Sequence, residues 1–305
     1  MFWFLRHGLK TRFQFIANFL ERLRYPQLFS RIISANDSGR LIASWIAEGR
    51  PCLVARLGSV ESRLLGESIY RHSKWSRKTL KEAHRNAGIF PVHSSALSEV
   101  AEQLKRGLSQ VDLLAQWQSP YQVRLIRDLL DESSHRCDLS SLEPWWMDIP
   151  WTSALVGKKV LVVHPFAVTI CSQYQGRERL FRDRSVLPNF SIITLCPPQT
   201  IGYGTDGFRS WIEALDHLIG QVSKIEFDVA LIGCGAYGLP LGAAIKAMGK
   251  PSIHLGGALQ LLFGIRGRRW EAMPQYAALM NDSWVRPSPD ETPRAASKVD
   301  GGCYW

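Results

Sequence analysis

Residues 227–257 read FDVALIGCGAYGLPLGAAIKAMGKPSIHLGG, and this stretch decides the fold. An apolar run leads into Gly233, Gly235 and Gly238, which have the G-x-G-x-x-G spacing, and a helix-forming run follows them. A second apolar run then ends at the pair Gly256–Gly257. A strand, a glycine turn, a helix and another strand make up the repeating unit of a parallel sheet. Glycines in such a turn let a phosphate approach the backbone at the helix N-terminus, although glycines that serve packing alone have the same spacing.

The alternation of strands and helices continues on both sides of this stretch. Apolar strands are predicted at residues 158–166 and 191–198, and a helix is predicted at 208–225. Nearer the N-terminus, residues 52–56 form another buried strand, whereas residues 70–150 are predicted to be mostly helical. The sequence therefore predicts an α/β fold: a Rossmann-like, mostly parallel sheet with helices on both faces, a helical N-terminal segment and a helical insertion.

Composition divides the chain into three predicted parts. Residues 1–45 form an amphipathic, basic helical segment, residues 46–285 form the α/β domain, and residues 286–305 form a tail too polar to order itself. The first segment either lies on anionic lipid or packs on the domain, and its charges are too frequent for a membrane span or a signal peptide. We expect a cytoplasmic protein, because the cysteines show no pairing pattern typical of an oxidising compartment. If the first segment lies on lipid, the protein is also in peripheral contact with the inner face of the cell membrane.

The net charge of +10 favours an anionic partner without choosing among nucleic acid, membrane and phosphorylated substrates. An NAD(P)-dependent oxidoreductase is one interpretation, and the glycine spacing is its only support. Such an enzyme needs an Asp or Glu at the end of the next strand, where this chain has Ile253, His254 and Leu255. A binding scaffold for polysaccharide or nucleic acid is another interpretation. We expect no nucleic acid, because no basic and aromatic pattern repeats along the chain.

A second motif follows the strand at residues 52–56. Arg56, Gly58 and Glu61 have the form R-x-G-x-x-E at the carboxyl end of that strand, where ligands of open α/β sheets bind. Arg56 either pairs with a phosphate or braces Glu61, which the helix dipole favours in a first turn. Farther along, Arg266 opens a cluster of arginines that extends to residue 269. This cluster suits phosphate oxygens, or else the negative end of a helix dipole.

Three motifs together resemble bacterial surface-polysaccharide glycosyltransferases of the GT-D type. They are R-x-G-x-x-E at 56–61, NAGIFP at 86–91 and the long block at 233–270, and the resemblance spans about residues 45–285. It implies a Rossmann-like sheet that binds a nucleoside-diphosphate sugar and transfers the sugar to a carbohydrate acceptor, such as a lipid-linked surface polysaccharide. A lipid-linked acceptor and anionic lipid would both attract the basic surface of this chain.

The candidate site residues follow from these motifs and from their neighbours. Glu61 is the candidate catalytic residue, as general base on the acceptor hydroxyl or as a metal ligand. The candidate donor-binding residues are Arg56, Gly58, Gly233, Gly235, Ala236, Tyr237, Gly238, His254, Gly256, Gly257 and Arg266. The candidates for the acceptor side of the cleft are Asn86, His164 and Gln173.

The chain departs from the family pattern at one position. GT-D members carry Asp-x-Glu, associated with a divalent metal, and here Ser59 occupies the aspartate position. A single carboxylate is a poor cage for a hard cation, so the sequence assigns no certain cofactor. Mn²⁺ or Mg²⁺ would have Glu61 as its one candidate ligand.

Overall fold

A computed structural model describes residues 23–26, 32–117, 119–293 and 295–305. Most of the N-terminal segment predicted at 1–45 lies outside these residues. The strands of the described part are β1 (Ile32–Ile33), β2 (Leu53–Arg56), β3 (Leu113–Gln116), β4 (His135–Asp138), β5 (Lys159–Val163), β6 (Ser191–Leu195), β7 (Val229–Ile232) and β8 (Ser252–His254). They form one sheet in the order β1-β4-β3-β2-β8-β7-β5-β6, and every pair is parallel.

Helices cover both faces of this sheet. The α-helices are α1 (Ala35–Ala47), α2 (Ser59–Tyr70), α3 (Arg77–Ala87), α4 (Ser94–Ser109), α5 (Gln122–Leu129), α6 (Ala167–Gln175), α7 (Trp211–Val222), α8 (Gly238–Ala247), α9 (Leu259–Leu262), α10 (Arg268–Glu271) and α11 (Pro274–Ala277). Leu53 and Ala55 of β2 pack in the layer of α2, α4, α7 and α8, whereas Val54 packs in the layer of α1, α6 and α9. The predicted α/β class, with a parallel sheet covered on both faces, is confirmed.

The strands of the second half are those that the sequence predicts best. Val160 to Val163 and the whole of β7 are fully buried, and their side chains alternate between the two layers. A strand buried on both faces reads as a continuous apolar run, and the runs of β5 and β7 are distinct for that reason.

The first half contains more sheet than the sequence predicts. Residues 70–150, predicted to be mostly helical, include the strands β3 and β4 between helices. Each has only four residues. The apolar run of β3 does not distinguish a buried strand from a turn of buried helix, and β4, with the sequence HRCD, has no apolar run to predict a strand. Pairing with neighbouring strands makes these residues strands and not helix, since Leu114 lies between Ala55 of β2 and Arg136 of β4.

The C-terminal segment also differs from its prediction. Residues 286–305 were expected to be a disordered tail, but in the structure Ala296 and Val299 are buried. The backbone carbonyl of Cys303 accepts a hydrogen bond from Arg269 N–H (3.0 Å). A few apolar side chains and backbone bonds fix the segment, and its overall polar composition conceals them.

No helix within the described ranges is both long enough and apolar enough to cross a bilayer. The sheet itself is built from two contiguous stretches of chain, residues 32–138 and residues 159–254. They meet where β2 pairs with β8, with Leu53 opposite Ser252 and Val54 opposite Ile253. Residues that end or follow β2 and β8 at this junction line the cavity described below.

Candidate functional site

A cavity of about 180 Å³ lies outside the carboxyl ends of β2, β3, β5, β6, β7 and β8. Open α/β sheets bind their ligands at this edge. The cavity brings together most residues that the sequence proposed for the site: Arg56, Gly58, Glu61, Asn86, His164, Gly233, Gly235, Ala236, Tyr237, His254, Gly256 and Gly257.

Arg56 ends β2 and extends across the cavity wall. Its guanidinium carbon lies 5.4 Å from the ring centroid of Trp117, whose indole N–H donates to Leu57 O (2.8 Å). The Nε atom of Arg56 is buried and has no hydrogen-bond partner among the residues that the structure describes. Trp117 follows β3 and was not predicted. A guanidinium held against an aromatic face, with a donor still unused, is suited to bind an anion.

Glu61 lies in the first turn of α2, one turn after the N-cap Gly58. Its carboxyl group folds back over Gly58, where a Cβ atom would overlap the carboxyl oxygens. The R-x-G-x-x-E spacing thus has a steric reason: the glycine leaves room for the glutamate. Burial raises the pKa of Glu61 above its ordinary value, and Asp300 adds to the rise, while Arg56 and the residue's own backbone N–H oppose it. Such a group takes up a proton more readily than an exposed glutamate does.

Two glycines of the fingerprint make room for imidazole rings. A Cβ at Gly233 would lie 2.6 Å from Cδ2 of His164, and a Cβ at Gly238 would overlap the ring of His254. Gly238 does not line the cavity, so the structure gives it a packing role where the sequence suggested donor contact. Burial lowers the pKa of both histidines to about 3, and Arg56 adds to the effect on His254. Both rings are therefore neutral at pH 7.

We expect Gly238→Ala to lower the free energy of unfolding by about 1–3 kcal/mol, because the added methyl group forces the His254 ring to move. Gly220→Ala, at an open position within α7, is the matched control and should be neutral or stabilising. Urea denaturation of both variants measures the difference. Equal stability of the two would contradict the packing role of Gly238.

Gly235 faces open space, unlike the other two glycines of the fingerprint, Gly233 and Gly238. Gly235 has a φ of +61°, and among the described residues no heavy atom beyond its chain neighbours lies within 4 Å of the position that its Cβ would occupy. It opens a 3₁₀ turn with Ala236 and Tyr237, and α8 follows directly. Tyr237 is fixed by Trp211, whose ring is stacked on its own at 4.8 Å, and by a hydrogen bond with Thr200 (2.9 Å). The backbone of this turn lines the cavity at the N-terminus of α8, and the N-terminus of a helix favours a bound anion.

The second glycine pair makes room for side chains from distant parts of the chain. Gly256 has a φ of +64°, and a Cβ there would lie 2.7 Å from the guanidinium of Arg56. A Cβ at Gly257 would lie 2.7 Å from the ring of Tyr304. This pair therefore shapes the walls of the cavity.

The C-terminal segment supplies one wall that the sequence analysis missed. Asp300 accepts a hydrogen bond from Asn86 Nδ2 (2.8 Å), and Trp305 also lines the cavity. Arg269 donates to the Tyr304 hydroxyl (3.3 Å) and lies 5.0 Å from the centroid of that ring. In the sequence, packing of this segment is indicated by the aromatic pair Tyr304 and Trp305, which follows its polar residues.

Two further candidates do not line the cavity. Arg266 donates from its guanidinium to Asn281 O (3.2 Å), and its place at the cavity is taken by Arg269. Gln173 donates to the backbone carbonyls of Gly264 (3.2 Å) and Ser283 (2.9 Å). Both side chains hold loops together, and neither reaches the site.

The side chains of metal-ligating type in the cavity lining are Glu61, His164, Cys234, His254 and Asp300. Across the described ranges, no group of three or more His, Cys, Asp or Glu side chains is arranged to hold a metal ion. Glu61 and Asp300 interact electrostatically, but Asp300 is engaged by Asn86.

Comparisons with known proteins add a likeness of fold. Neither family models nor curated proteins gave a match to this chain. A solved structure described as the selenomethionine-substituted structure of domain of unknown function 1792 is similar, with 15% sequence identity and a TM-score of 0.41. The similarity covers 71% of this chain and 76% of that one. A likeness at this level carries no argument about function, which rests on the residues of the cavity.

Proposed function

We propose that this chain is a glycosyltransferase that moves a sugar from a nucleoside-diphosphate donor to a carbohydrate acceptor. One observation carries the proposal: the cavity unites an open glycine turn at a helix N-terminus, a buried guanidinium nitrogen that has no partner among the described residues, and a half-buried carboxyl group. The motif resemblance to GT-D glycosyltransferases supports the same activity.

The donor diphosphate would bind between Gly235 and Arg56. The backbone of the turn and the dipole of α8 favour negative charge there, and Arg56 adds a charge-assisted hydrogen bond. Arg269, on the wall formed with Tyr304, supplies a second cation. These groups would also stabilise the charge that develops on the diphosphate as it leaves.

Glu61 would act as general base. In the transfer step, the acceptor hydroxyl oxygen forms a bond to the anomeric carbon and gives its proton to the Glu61 carboxylate. The bond from the anomeric carbon to the diphosphate oxygen breaks, and its electron pair leaves on the diphosphate. The raised pKa of Glu61 brings its basicity closer to working pH, where general bases are most effective.

A dinucleotide fits the cavity less well. The strand after the glycine turn ends at His254, and Gly256–Gly257 follow in place of the carboxylate that binds ribose hydroxyls in dinucleotide sites. An NAD(P)-dependent oxidoreductase therefore remains only as an outcome of the experiment below.

A resident divalent metal does not fit the described side chains. Ser59 occupies the position of the family's aspartate, and Asp300 is bonded to Asn86. We therefore derive no step through Mn²⁺ or Mg²⁺. A lipid-linked acceptor at the membrane surface is proposed from the net charge of +10 and from the basic, aromatic residues before position 22.

The test is a panel of nucleotide sugars, each with Mn²⁺ and with EDTA, with the released nucleotide measured and the product linkage read by NMR. UDP or GDP should raise the melting temperature, and NAD(P) should not. Stabilisation by NAD(P) alone would overturn the proposal. Polymer binding that depends on salt, without turnover of any donor, would favour a binding scaffold.

We expect Arg56→Ala to weaken nucleotide binding about 10- to 100-fold, because a charged hydrogen bond to phosphate contributes about 1.5–3 kcal/mol. Arg266→Ala is the matched control: its side chain contacts Asn281 O and does not line the cavity, so the Kd should stay unchanged. Calorimetric titration measures both. A larger rise in Kd for Arg266→Ala than for Arg56→Ala would instead place Arg266 in the donor site.

A further inference from the structure

Two imidazole rings lie on the cavity wall, one on each side of the end of β7. His164 follows β5 and His254 ends β8, and both side chains are almost completely buried (3% and 4% exposed). Their neighbours at the end of β7 are adjacent in sequence: the His254 ring contacts the carbonyl oxygen of Ile232, the last residue of β7, and the His164 ring lies against Gly233, which follows it. Both histidines therefore line the same cavity, beside consecutive residues of the chain.

The backbone fixes the protonation of His164. The N–H of Phe166 donates to Nδ1 of His164 (3.0 Å). A backbone N–H is a donor only, so Nδ1 holds a lone pair. Since the ring is neutral, its proton is on Nε2, and His164 presents a hydrogen-bond donor.

The backbone fixes His254 in the opposite tautomer. Its Nδ1 lies 3.2 Å from Ile232 O, and a carbonyl oxygen is an acceptor only. Nδ1 therefore carries the proton, and Nε2 holds the lone pair. Gly233 and Gly238 fit closely against the two rings and limit their rotation.

We propose that His164 and His254 form a donor–acceptor pair that binds two hydroxyl groups of the ligand. One hydroxyl accepts from Nε2–H of His164, and the other donates to Nε2 of His254. A fully ionised phosphate has no proton to donate, so His254 disfavours it and directs it to Gly235 and Arg56. The inference rests on the proposed function: in a nucleotide sugar, the paired hydroxyls belong to the ribose or to the transferred sugar.

The tautomers are tested first, by long-range ¹H–¹⁵N spectra of the uniformly ¹⁵N-labelled protein at pH 7 without ligand. His164→Asn and His254→Asn assign the two rings. We expect His164 to be protonated at Nε2 only and His254 at Nδ1 only. The same tautomer at both rings, or an imidazolium at either, would overturn the pair. This result does not depend on the proposed function.

The hydroxyl contacts are tested by substitution. Asparagine keeps the atom that bonds the backbone, at Phe166 or at Ile232, and removes the ligand-facing nitrogen, whereas glutamine restores a polar group near the Nε2 position. We expect His164→Asn and His254→Asn each to weaken binding about tenfold, with partial recovery in the Gln variants and melting temperatures close to wild type.

The probes are UDP, GDP and their glucose or mannose conjugates, each compared with 2′-deoxyribose, 3′-deoxyribose and deoxysugar analogues. Loss of the Asn effect with a deoxyribose analogue assigns the pair to ribose, and loss with a deoxysugar analogue assigns it to the sugar. Asn variants that bind every probe like wild type would overturn the hydroxyl contacts. If no probe binds the wild-type protein, the proposed function fails and the ligand assignment fails with it, while the spectra still judge the tautomers.

Discussion

Replacing Glu61 by glutamine is expected to slow sugar transfer about 100- to 10,000-fold, the usual contribution of a general base, with the donor Kd unchanged. The amide is nearly the same size as the carboxyl group, so the space over Gly58 stays filled. Stopped-time assays of nucleotide release and calorimetric titration with the donor nucleotide separate the two effects. The matched control is Glu99→Gln, an exposed position on α4, which should retain wild-type activity.

The same substitution makes a prediction about stability and pH. Because the pKa of Glu61 is raised, its ionised form is less favourable in the folded than in the unfolded chain. Its contribution to stability is greatest below the unfolded pKa and is lost as pH rises through the folded pKa. Glu61→Gln should therefore not lower the melting temperature at pH 7. Wild-type activity should fall, on acidification, at a higher pH than an ordinary glutamate would give. Full transferase activity of Glu61→Gln would exclude the role of Glu61 as general base.

Gly235→Val is expected to raise the donor Kd by at least about 100-fold, equivalent to about 2.7 kcal/mol. Valine at a φ of +61° strains the backbone, and its side chain would extend into the open space where the diphosphate is proposed to approach α8. Calorimetric titration with UDP and GDP measures the loss.

Gly49→Val separates strain from obstruction. Gly49 has a φ of +63° and follows α1, outside the cavity lining. In the part of the chain that the structure describes, no heavy atom beyond its chain neighbours lies within 4 Å of its Cβ position. Both variants should lose similar stability, about 1–2 kcal/mol for a side chain in the left-handed region. Only Gly235→Val should lose donor binding. Equal donor affinity in the two variants would show that Gly235 serves backbone geometry alone.

The fold was predictable where strands are continuous runs of aliphatic residues buried on both faces. Residues 160–163 and 229–232 are continuous apolar runs, and they gave the parallel α/β class correctly. The strands β3 (LLAQ) and β4 (HRCD) were missed, because only their pairing with neighbouring strands distinguishes them from helix. Local sequence does not contain that information.

The site was predictable at strand ends and not beyond them. Motifs after β2, β7 and β8 identified Arg56, Glu61 and Gly235, which do line one cavity. The sequence gave no reason to choose Arg269 over Arg266 for the cavity, because the direction in which each side chain points is set by the folded turn and not by the sequence pattern. It also gave no sign that glycines at motif positions make room for protein side chains, since the partner His164 lies about 70 residues away along the chain.

The two-part construction of the sheet has a practical consequence for dissecting the molecule. Strands β2 and β8 each lie at the inner edge of one contiguous half, and a chain cut between β4 and β5, near the exposed Ile149, would leave both edges bare. One fragment would carry Glu61 and the other Gly235, so neither would hold a complete cavity. The protein is thus a natural candidate for fragment complementation, in which recovered nucleotide binding reports the reassembly of the two halves.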